Sequence, residues 1–506
     1  MKLNKFLSFS IALLALVSAF FWNELNTHNL KKAHIKLREN QTVITEDDAS
    51  YLNPYKRLDK IGSTYENQLE KYTSTIRPPG YGIFYYFSLK IGGEKHALYL
   101  LKIVQSLLFG FSVFCFFELT YFFTKANWLS AIAAIIYGIL PFTQGFLYYT
   151  LTEGITPALF LAVLYFSMKT FIEKEIRVQL MYLFFASSFF SFLLLVRPFM
   201  IVFLPFVLVI LFLEWFRTKG MRTVLLNLLL FTSISLSGLF TWQIRGELLL
   251  GKFLGLHPIY QNEIPGVFRK PHEALWNMFK GWEASGAHFH ETIVPFWEAT
   301  MKLDTSEQRI DEVIQRLPKS VVKSIGKNEL KWGFILYRKA ILAQKPYFDK
   351  QQVMPHHLLE SEQRASKNFE RLAVKFSSRN LYVYHVQTPL KVLKSMVFHS
   401  NLSMYQFQHT YRGAFWTEAL RYLCFAIHSL AFVLLPFAFF LLRDLRIRIL
   451  IIGLFTFIFY LFYFQRGIEE RYTLPILPLL TIFGVMTVKQ IIVRIKKSKL
   501  LKKLMF

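Results

Sequence analysis

Two adjacent carboxylates are the first residues in this sequence with the chemistry of a catalyst. Asp47 and Asp48 lie in the polar stretch 45–51, in a long loop that follows the first apolar segment. A carboxylate beside an apolar surface can serve as a general base because its pKa is raised there. A structural interpretation is also open: Thr45 and Asp48 have the spacing of a helix-capping box, and an acidic first turn suits the helix dipole.

A second candidate element is the stretch Arg77-Pro78-Pro79-Gly80-Tyr81, later in the same loop. The two prolines fix the backbone and Gly80 permits a tight turn. Arg77 would then contact either lipid headgroups, a substrate phosphate or the two aspartates. The sequence leaves these alternatives open.

Four more polar residues stand at the predicted ends of apolar segments: Glu153, Arg197, Arg471 and Tyr472. An acidic residue so close to hydrocarbon is costly and is often functional, although Thr152 before Glu153 also suits a capping role. Arginines in such places are either interfacial anchors or bidentate phosphate ligands. These residues all fall on one predicted membrane face, which argues for a shared site more strongly than any one of them.

The histidines and cysteines predict no metal site. The chain has 13 histidines and two cysteines, Cys115 and Cys424, which both lie in apolar segments. No HExxH or comparable spacing is present, and two cysteines so placed offer neither a zinc site nor a disulfide framework.

The elements that carry these residues are predicted to be membrane helices. Of the 506 residues, 53% are hydrophobic and only 18% are charged, whereas a soluble protein has about 25% charged residues. Repeated apolar runs are long enough to cross a hydrocarbon core about 30 Å thick. The sequence therefore predicts an all-α polytopic membrane protein with about ten spans, at residues 1–22, 97–121, 127–146, 152–168, 179–196, 199–215, 223–241, 418–441, 449–464 and 473–493.

The net charge of +26 is distributed as in a membrane protein. Basic residues concentrate in alternate short loops and in the tail 494–503, which predicts that these parts are cytoplasmic. The same distribution argues against nucleic-acid binding. An uncleaved N-terminal anchor is favoured over a signal peptide, because the apolar run continues past the cleavage-like residues 17–19.

Three domains are predicted from these spans. Residues 1–241 form an N-terminal membrane module whose outer loop, 23–96, includes an interfacial or re-entrant helix at 81–91. Residues 242–415 form a mainly helical outer soluble domain, and residues 416–506 form a C-terminal membrane module with a basic cytoplasmic tail. Low cysteine use and compact loops favour a bacterial inner membrane, with the polar cluster facing the periplasm.

The acidic pair after the first span, the turn at 77–81 and the Thr152-Glu153 pair together resemble the GT-C glycosyltransferases. The resemblance is to the bacterial relatives of protein O-mannosyltransferases and of lipid A aminoarabinose transferase. It is strongest over residues 1–240, continues more weakly at 470–478, and does not include 242–415.

This resemblance implies an inverting transfer of a sugar from a polyprenyl-phosphate donor to an acceptor outside the membrane. It places the catalytic aspartate at Asp47, with Asp48 as its neighbour. Substrate and donor-phosphate binding falls on six residues: Arg77, Tyr81, Glu153, Arg197, Arg471 and Tyr472. Arginines can stabilise a departing phosphate by preorganised charge, so no metal cofactor is required.

The sequence departs from the family pattern at two positions. The family often has Glu at the position of Asp48, which leaves the choice of base between the two aspartates open. Gly82 stands where a third proline is common, which predicts a looser turn.

Two other functions remain as alternatives. A transporter or flippase would also have many spans, but such proteins usually show internal repeats and charged or broken helices near the middle of the membrane. A non-catalytic scaffold would leave the acidic pair and the arginines without a role. The sequence does not specify the sugar or the acceptor.

Overall fold

The structure of the protein is a computed structural model. It describes residues 2–32, 37–38, 42–43, 47–67, 70–71, 74–75, 77–251, 253, 255, 269–283, 286–350, 352, 354–355, 357–398, 415–466 and 470–504.

The N-terminal half is built from helices. They are α1 (Lys2–Lys32), α2 (Asp48–Ile61), α3 (Gly80–Thr124), α4 (Asn127–Ile139), α5 (Pro141–Gln144), α6 (Thr156–Ile172), α7 (Ile176–Val196), α8 (Leu204–Phe216) and α9 (Met221–Leu250). Short 3-10 turns occupy Gly145–Tyr148, Thr152–Gly154 and Pro198–Phe203. Between α1 and α2, the two-residue strands β1 (Leu37–Arg38) and β2 (Thr42–Val43) form a small antiparallel hairpin.

The C-terminal half is also helical. Its helices are α10 (Lys270–Phe279), α11 (Gly286–Met301), α12 (Glu307–Arg316), α13 (Lys319–Ile325), α14 (Lys327–Asp349), α15 (Glu360–Arg379), α16 (Thr388–Val397), α17 (Phe415–Leu441), α18 (Leu445–Phe459) and α19 (Leu477–Leu504). Two π-helical turns, Val383–Gln387 and Tyr460–Gln465, and one 3-10 turn, Glu470–Thr473, join them.

The predicted class of an all-α polytopic membrane protein is confirmed. In the described part of the chain, nine helices are long and apolar enough to cross a membrane. A helix satisfies its backbone hydrogen bonds within itself, which is why apolar runs of this length become helices in lipid. The chain is a multi-pass integral membrane protein.

The span predicted at 127–146 is the one that differs. The helix α4 has 13 residues and ends at Ile139, and Leu140 is extended with φ −67° and ψ 132°. Pro141 is the cause, because the residue before a proline is driven out of the helical region. The apolar run therefore continues as short pieces rather than as one long helix.

The helix α3 contains a sharp break at Gly93, whose φ of 64° and ψ of 177° are not helical. Glycine alone adopts such a conformation readily. The break separates the predicted helix at 81–91 from the long span that follows. The two parts thus have different directions, as separate elements would.

The described part of the chain has two main hydrophobic cores and one small cluster of Leu336, Ala340 and Ala365. The larger one contains side chains from both predicted membrane modules, such as Phe117 of α3 and Phe483 of α19, so these modules pack as one body. The smaller core lies within the predicted outer domain and is formed by residues of α10 to α15, including Leu275, Phe334 and Phe369. The helix α9 continues to Leu250, beyond the predicted boundary at 241.

A buried ion pair connects the helices of the smaller core. Arg269 donates from Nε to Glu362 Oε1 at 2.6 Å and from Nη2 to Oε2 at 2.5 Å. Gln344 Nε2 and the Leu359 amide also donate to this carboxylate, at 2.7 and 2.8 Å. Such full hydrogen bonding is what makes two buried charges tolerable. The contacts join the start of α10 to α14 and α15.

Candidate active site

Asp47 lies at the start of α2, and its carboxylate contacts two arginines. The residue immediately precedes the helix, but its side chain makes no capping hydrogen bond. Instead, Asp47 Oδ1 lies 2.5 Å from Arg77 Nη2, and Oδ2 lies 3.4 Å from Arg471 Nη2. Thr45, the predicted capping partner of Asp48, lies outside the described residues.

The neighbouring Asp48 has a different environment. It is the first residue of α2 and is only 1% exposed, whereas the side chain of Asp47 is 28% exposed. The two carboxylates therefore lie on different faces of the first turn. Of the two, Asp47 has access to a ligand that approaches from outside the protein.

The turn that carries Arg77 is held by close backbone packing. A Cβ atom on Gly80 would lie 2.6 Å from the carbonyl carbon of Leu195, so only glycine allows α3 to begin this close to the end of α7. Tyr55 donates from its hydroxyl to Pro79 O at 3.0 Å, and its ring lies against Gly82. The prediction that Gly82 loosens the turn is not what the structure shows, because Tyr55 fills the space that a larger residue would need.

Two tyrosines support this first part of the site. The rings of Tyr51 and Tyr81 meet edge to face at 5.1 Å, and the guanidinium of Arg77 lies 5.2 Å from the centre of the Tyr51 ring. Burial raises the pKa of the Tyr51 phenol, although Arg77 lowers it in part, so this hydroxyl stays protonated at neutral pH. Tyr81 donates from its hydroxyl to Gln105 Oε1 at 3.0 Å.

Glu153 is the second acid of the site. It lies in the 3-10 turn before α6, is 4% exposed, and accepts a hydrogen bond from Arg197 Nη2 at 2.8 Å. Arg471 Nε lies 3.7 Å from the same oxygen, Oε1. The alternative role of Thr152 as a helix cap is not observed, since its hydroxyl donates to Glu153 Oε2 at 3.2 Å.

Arg197 and Arg471 come from separate connections between helices. Arg197 follows α7, and its guanidinium lies 5.5 Å from the centre of the Tyr472 ring. Its Nη1 is buried and has no hydrogen-bond partner among the residues that the structure describes. Arg471 and Tyr472 both belong to the 3-10 turn before α19.

All eight sequence-predicted site residues thus come together in one cluster. Five of its charged members alternate in sign along a chain of contacts: Arg77, Asp47, Arg471, Glu153 and Arg197. Three guanidinium groups thus contact two carboxylates, and the buried Asp48 is a third carboxyl of the cluster. Such a cluster can bind an anion and also present a carboxylate to a substrate hydroxyl.

A cavity of about 450 Å³ opens beside Arg77, between α2, the start of α3, and α7 and α9. Most of its lining is apolar or aromatic, with Tyr51, Leu195 and Trp242 among the residues. Arg245 lines it as well, and its Nη2 donates to Thr64 Oγ1 at 3.1 Å. The cluster therefore borders a space that suits an amphipathic ligand.

Sequence reasoning missed Tyr51 and Gln105. Tyr51 follows Asp47 by four residues and shares its side of α2, a spacing that identifies neighbours on a helix. Gln105 is a polar residue within an apolar span, which is itself a signal of function or of internal hydrogen bonding. It donates to Leu147 O at 3.1 Å as well as accepting from Tyr81. Within the described ranges, no group of three or more His, Cys, Asp or Glu side chains is placed to hold a metal ion.

No protein-family description matches this chain, and no curated protein matches it either. Among solved structures, the chain is similar to ArnT from Cupriavidus metallidurans in the apo state. The identity is 13%, the TM-score is 0.35, and the match covers 94% of this chain and 76% of that one. This is the aminoarabinose transferase branch that the sequence resembles. The superposition is loose at this TM-score, and a fold by itself does not define a function.

Proposed function

We propose that this protein is a membrane glycosyltransferase that moves a sugar from a polyprenyl-phosphate donor to an acceptor hydroxyl. The observation that carries the proposal is the position of Asp47, whose carboxylate lies between Arg77 and Arg471 at 2.5 and 3.4 Å. A base and two phosphate-binding groups thereby border one small volume. A transfer that deprotonates one oxygen and releases another as phosphate needs this combination.

In the proposed reaction, the acceptor oxygen attacks the anomeric carbon from the face opposite the phosphate. The new carbon–oxygen bond forms as the bond between the sugar and the phosphate oxygen breaks, so the anomeric configuration inverts. Asp47 accepts the acceptor proton. The electron pair of the broken bond leaves with the polyprenyl phosphate.

The arginines would stabilise the charge that develops on this leaving group. In the structure each of them contacts a carboxylate, so the donor phosphate must compete for the guanidinium groups. Glu153 would act by orientation, because it holds Arg197 and Arg471 on one carboxylate oxygen and so limits the reorganisation needed on binding.

The cavity beside Arg77 supports a lipid-linked substrate. Thr241 lines this cavity and is flanked on α9 by the exposed side chains of Phe240 and Ile244. An apolar surface on a membrane helix faces lipid. A ligand with an isoprenoid tail would reach the cavity from the bilayer and present its phosphate to Arg77.

The test compares the wild-type protein with the variant Asp47→Asn. Each would be purified, checked by size-exclusion chromatography, and incubated with polyprenyl-phosphate sugars and acceptor-containing membranes. The readout is released polyprenyl phosphate. The matched control is Asp59→Asn, since Asp59 lies on the same helix and pairs with Lys90 at 2.7 Å, away from the cluster.

We expect turnover by the wild-type protein and by Asp59→Asn, and loss of turnover in a folded Asp47→Asn protein. Unchanged turnover in Asp47→Asn would move the base to Asp48 or Glu153 and overturn the assignment of Asp47. Absence of turnover with every donor would overturn the transferase proposal in favour of transport.

A further inference from the structure

A helical segment in the predicted outer soluble domain carries an apolar face that no described part of the protein covers. Residues 381–397 form one continuous helix, in which the π-helical turn Val383–Gln387 leads into α16. We refer to it as the 381–397 helix. Three of its side chains, Tyr382, Val386 and Leu390, follow one another at intervals of four residues and are 68%, 40% and 53% exposed. Residues at this interval form a stripe along one side of a helix.

The opposite side of this helix is packed against the protein. Thr388, Pro389, Val392 and Met396 are buried. Thr388 donates from its hydroxyl to Gly281 O at 3.0 Å, which connects the helix to the smaller core. The helix is therefore firmly placed, and its exposed stripe is not the result of a loose segment.

Contacts with two membrane spans set the depth of the helix. His385 Nδ1 lies 2.8 Å from the Tyr463 hydroxyl, and Ser429 donates from Oγ to Val397 O at 2.8 Å. Tyr463 lies within the apolar span segment Leu445–Gln465, and Ser429 lies within Glu418–Leu441. Both ends of the helix thus contact residues of the candidate membrane spans.

The composition of the helix suits the same location. Residues 381–398 contain no Asp or Glu, and their basic residues other than His385 are Lys391 and Lys394. Both lysines are exposed. Lysines beside an apolar stripe can extend their charged ends to lipid phosphates while their methylene groups stay in the apolar layer.

From these contacts we infer that the 381–397 helix is embedded in the bilayer and that its exposed stripe contacts lipid acyl chains. The occupant of the stripe is lipid because the helix that carries it packs directly against two candidate membrane spans, at Tyr463 and Ser429. The predicted outer domain is then not wholly soluble. This inference does not rest on the transferase proposal.

The location has a consequence for the candidate site. The 381–397 helix also packs against the turn Glu470–Thr473, which carries Arg471 and Tyr472. Arg466, just before this turn, donates from Nη2 to Tyr384 O at 2.9 Å. The bilayer would therefore help to hold one wall of the charged cluster in place.

The test measures the surroundings of spin labels on the full chain in lipid nanodiscs. Single labels would be placed by Val386→Cys and by Leu390→Cys. The lipid-facing reference is Leu430→Cys, because Leu430 lies on α17 and is 51% exposed, and the water-facing reference is Ser320→Cys on α13. All four sites are exposed, so the substitutions leave the cores intact. Power-saturation spectroscopy then compares collisions with oxygen, which is enriched in lipid, and with a water-soluble nickel complex.

We expect the labels at 386 and 390 to show oxygen-to-nickel ratios near that of the label at 430 and several-fold above that of the label at 320. Two results would overturn the inference. Ratios near that of the label at 320 would place the stripe in water. Low collision rates with both reagents would mean that protein, such as a second copy of the chain, covers the stripe.

Discussion

Arg471 and Asp47 are separated by 424 positions in the sequence, yet Arg471 Nη2 lies 3.4 Å from Asp47 Oδ2. This contact joins the C-terminal membrane helices to the first loop. The same guanidinium approaches Glu153 through Nε, at 3.7 Å. Among the described ion pairs of the cluster, Arg471 is thus the one residue that contacts both Asp47 and Glu153.

Replacing Arg471 by lysine tests this bridging role. Lysine keeps the charge but has a single compact ammonium group, which cannot contact two carboxylates and a phosphate with the planar geometry of arginine. We expect polyprenyl-phosphate release to fall by about a hundredfold, the usual effect of removing one preorganised donor. Steady-state assays with the purified variant would measure this.

The control for Arg471→Lys is Arg443→Lys, an exposed arginine between α17 and α18 at the other end of these spans. It should retain wild-type turnover. Equal activity of the two variants would show that the bridge has no part in the reaction.

Gln105 and Tyr81 should act as one unit. Gln105 accepts from the Tyr81 hydroxyl and donates to Leu147 O, and its Oε1 would lie 2.8 Å from a Cβ placed on Gly154. Gln105 therefore links the start of α3, where Tyr81 lies, to the turn that carries Glu153. We expect Tyr81→Phe to lower turnover about tenfold, which corresponds to about 1.4 kcal/mol for one lost buried hydrogen bond. Gln105→Leu should lower it further, because it also removes the bond to Leu147 O.

A double-mutant cycle measures their coupling. Because both substitutions remove the contact between the two side chains, the double variant should be about as active as Gln105→Leu alone, with a coupling energy of about 1.4 kcal/mol. Strictly additive losses would mean that the two residues contribute independently.

The buried pair of Arg269 and Glu362 should control the stability of the smaller core. Replacing Glu362 by alanine leaves a guanidinium buried without its carboxylate, and we expect the loss to be about 3–5 kcal/mol. Hydrogen exchange in α10 and α15 would rise accordingly. Intact protein in lipid is suitable for this measurement.

The neighbouring Glu360 provides the matched control. It lies on the same helix and pairs with Arg364 at 2.5 Å, but the two side chains are 78% and 66% exposed. Glu360→Ala should therefore change exchange in α15 by less than about 1 kcal/mol. If Glu360→Ala and Glu362→Ala raised hydrogen exchange equally, burial of the ion pair would not be the reason for its contribution to stability.

His272 should make the smaller core sensitive to acid. Burial lowers the pKa of His272 to about 3 from its ordinary value of 6.5, and its Nδ1 lies 3.0 Å from the Tyr337 hydroxyl. Between about pH 3 and pH 6.5, His272 therefore binds a proton in the unfolded chain but not in the folded chain. Above about pH 6.5, His272 does not reduce the free energy of unfolding. As the pH falls below this value the free energy of unfolding decreases, and at pH 5 the decrease is about 2 kcal/mol.

The variant His272→Gln keeps a polar group beside Tyr337 but does not titrate. Hydrogen exchange of α10 and α14 between pH 7 and 5 should show a smaller loss of protection in this variant than in the wild-type protein. The exposed residue His357 serves as the comparison, since His357→Gln should keep the wild-type pH dependence. An unchanged pH dependence in His272→Gln would disprove the assignment.

The sequence predicted most of the helical framework because apolar runs and helix length are local properties. It failed at 127–146, where Leu140 and Pro141 interrupt a run that hydropathy alone reads as continuous. The gathering of Asp47, Arg77, Glu153 and the distant arginines was predicted only as a shared membrane face. Their roles in catalysis stay predictions.

By itself, the sequence determined the all-α membrane class and the loops that carry acids and arginines, because hydrophobicity and charge act over short stretches of chain. Only the tertiary structure decided which charges touch. Arg471 meets Asp47 because α19 and the start of α2 are brought to the same place, and Gln105 meets Tyr81 because α3 bends at Gly93 and packs beside the turn before α6. These pairings depend on side-chain packing between segments far apart in the chain, which no local pattern encodes.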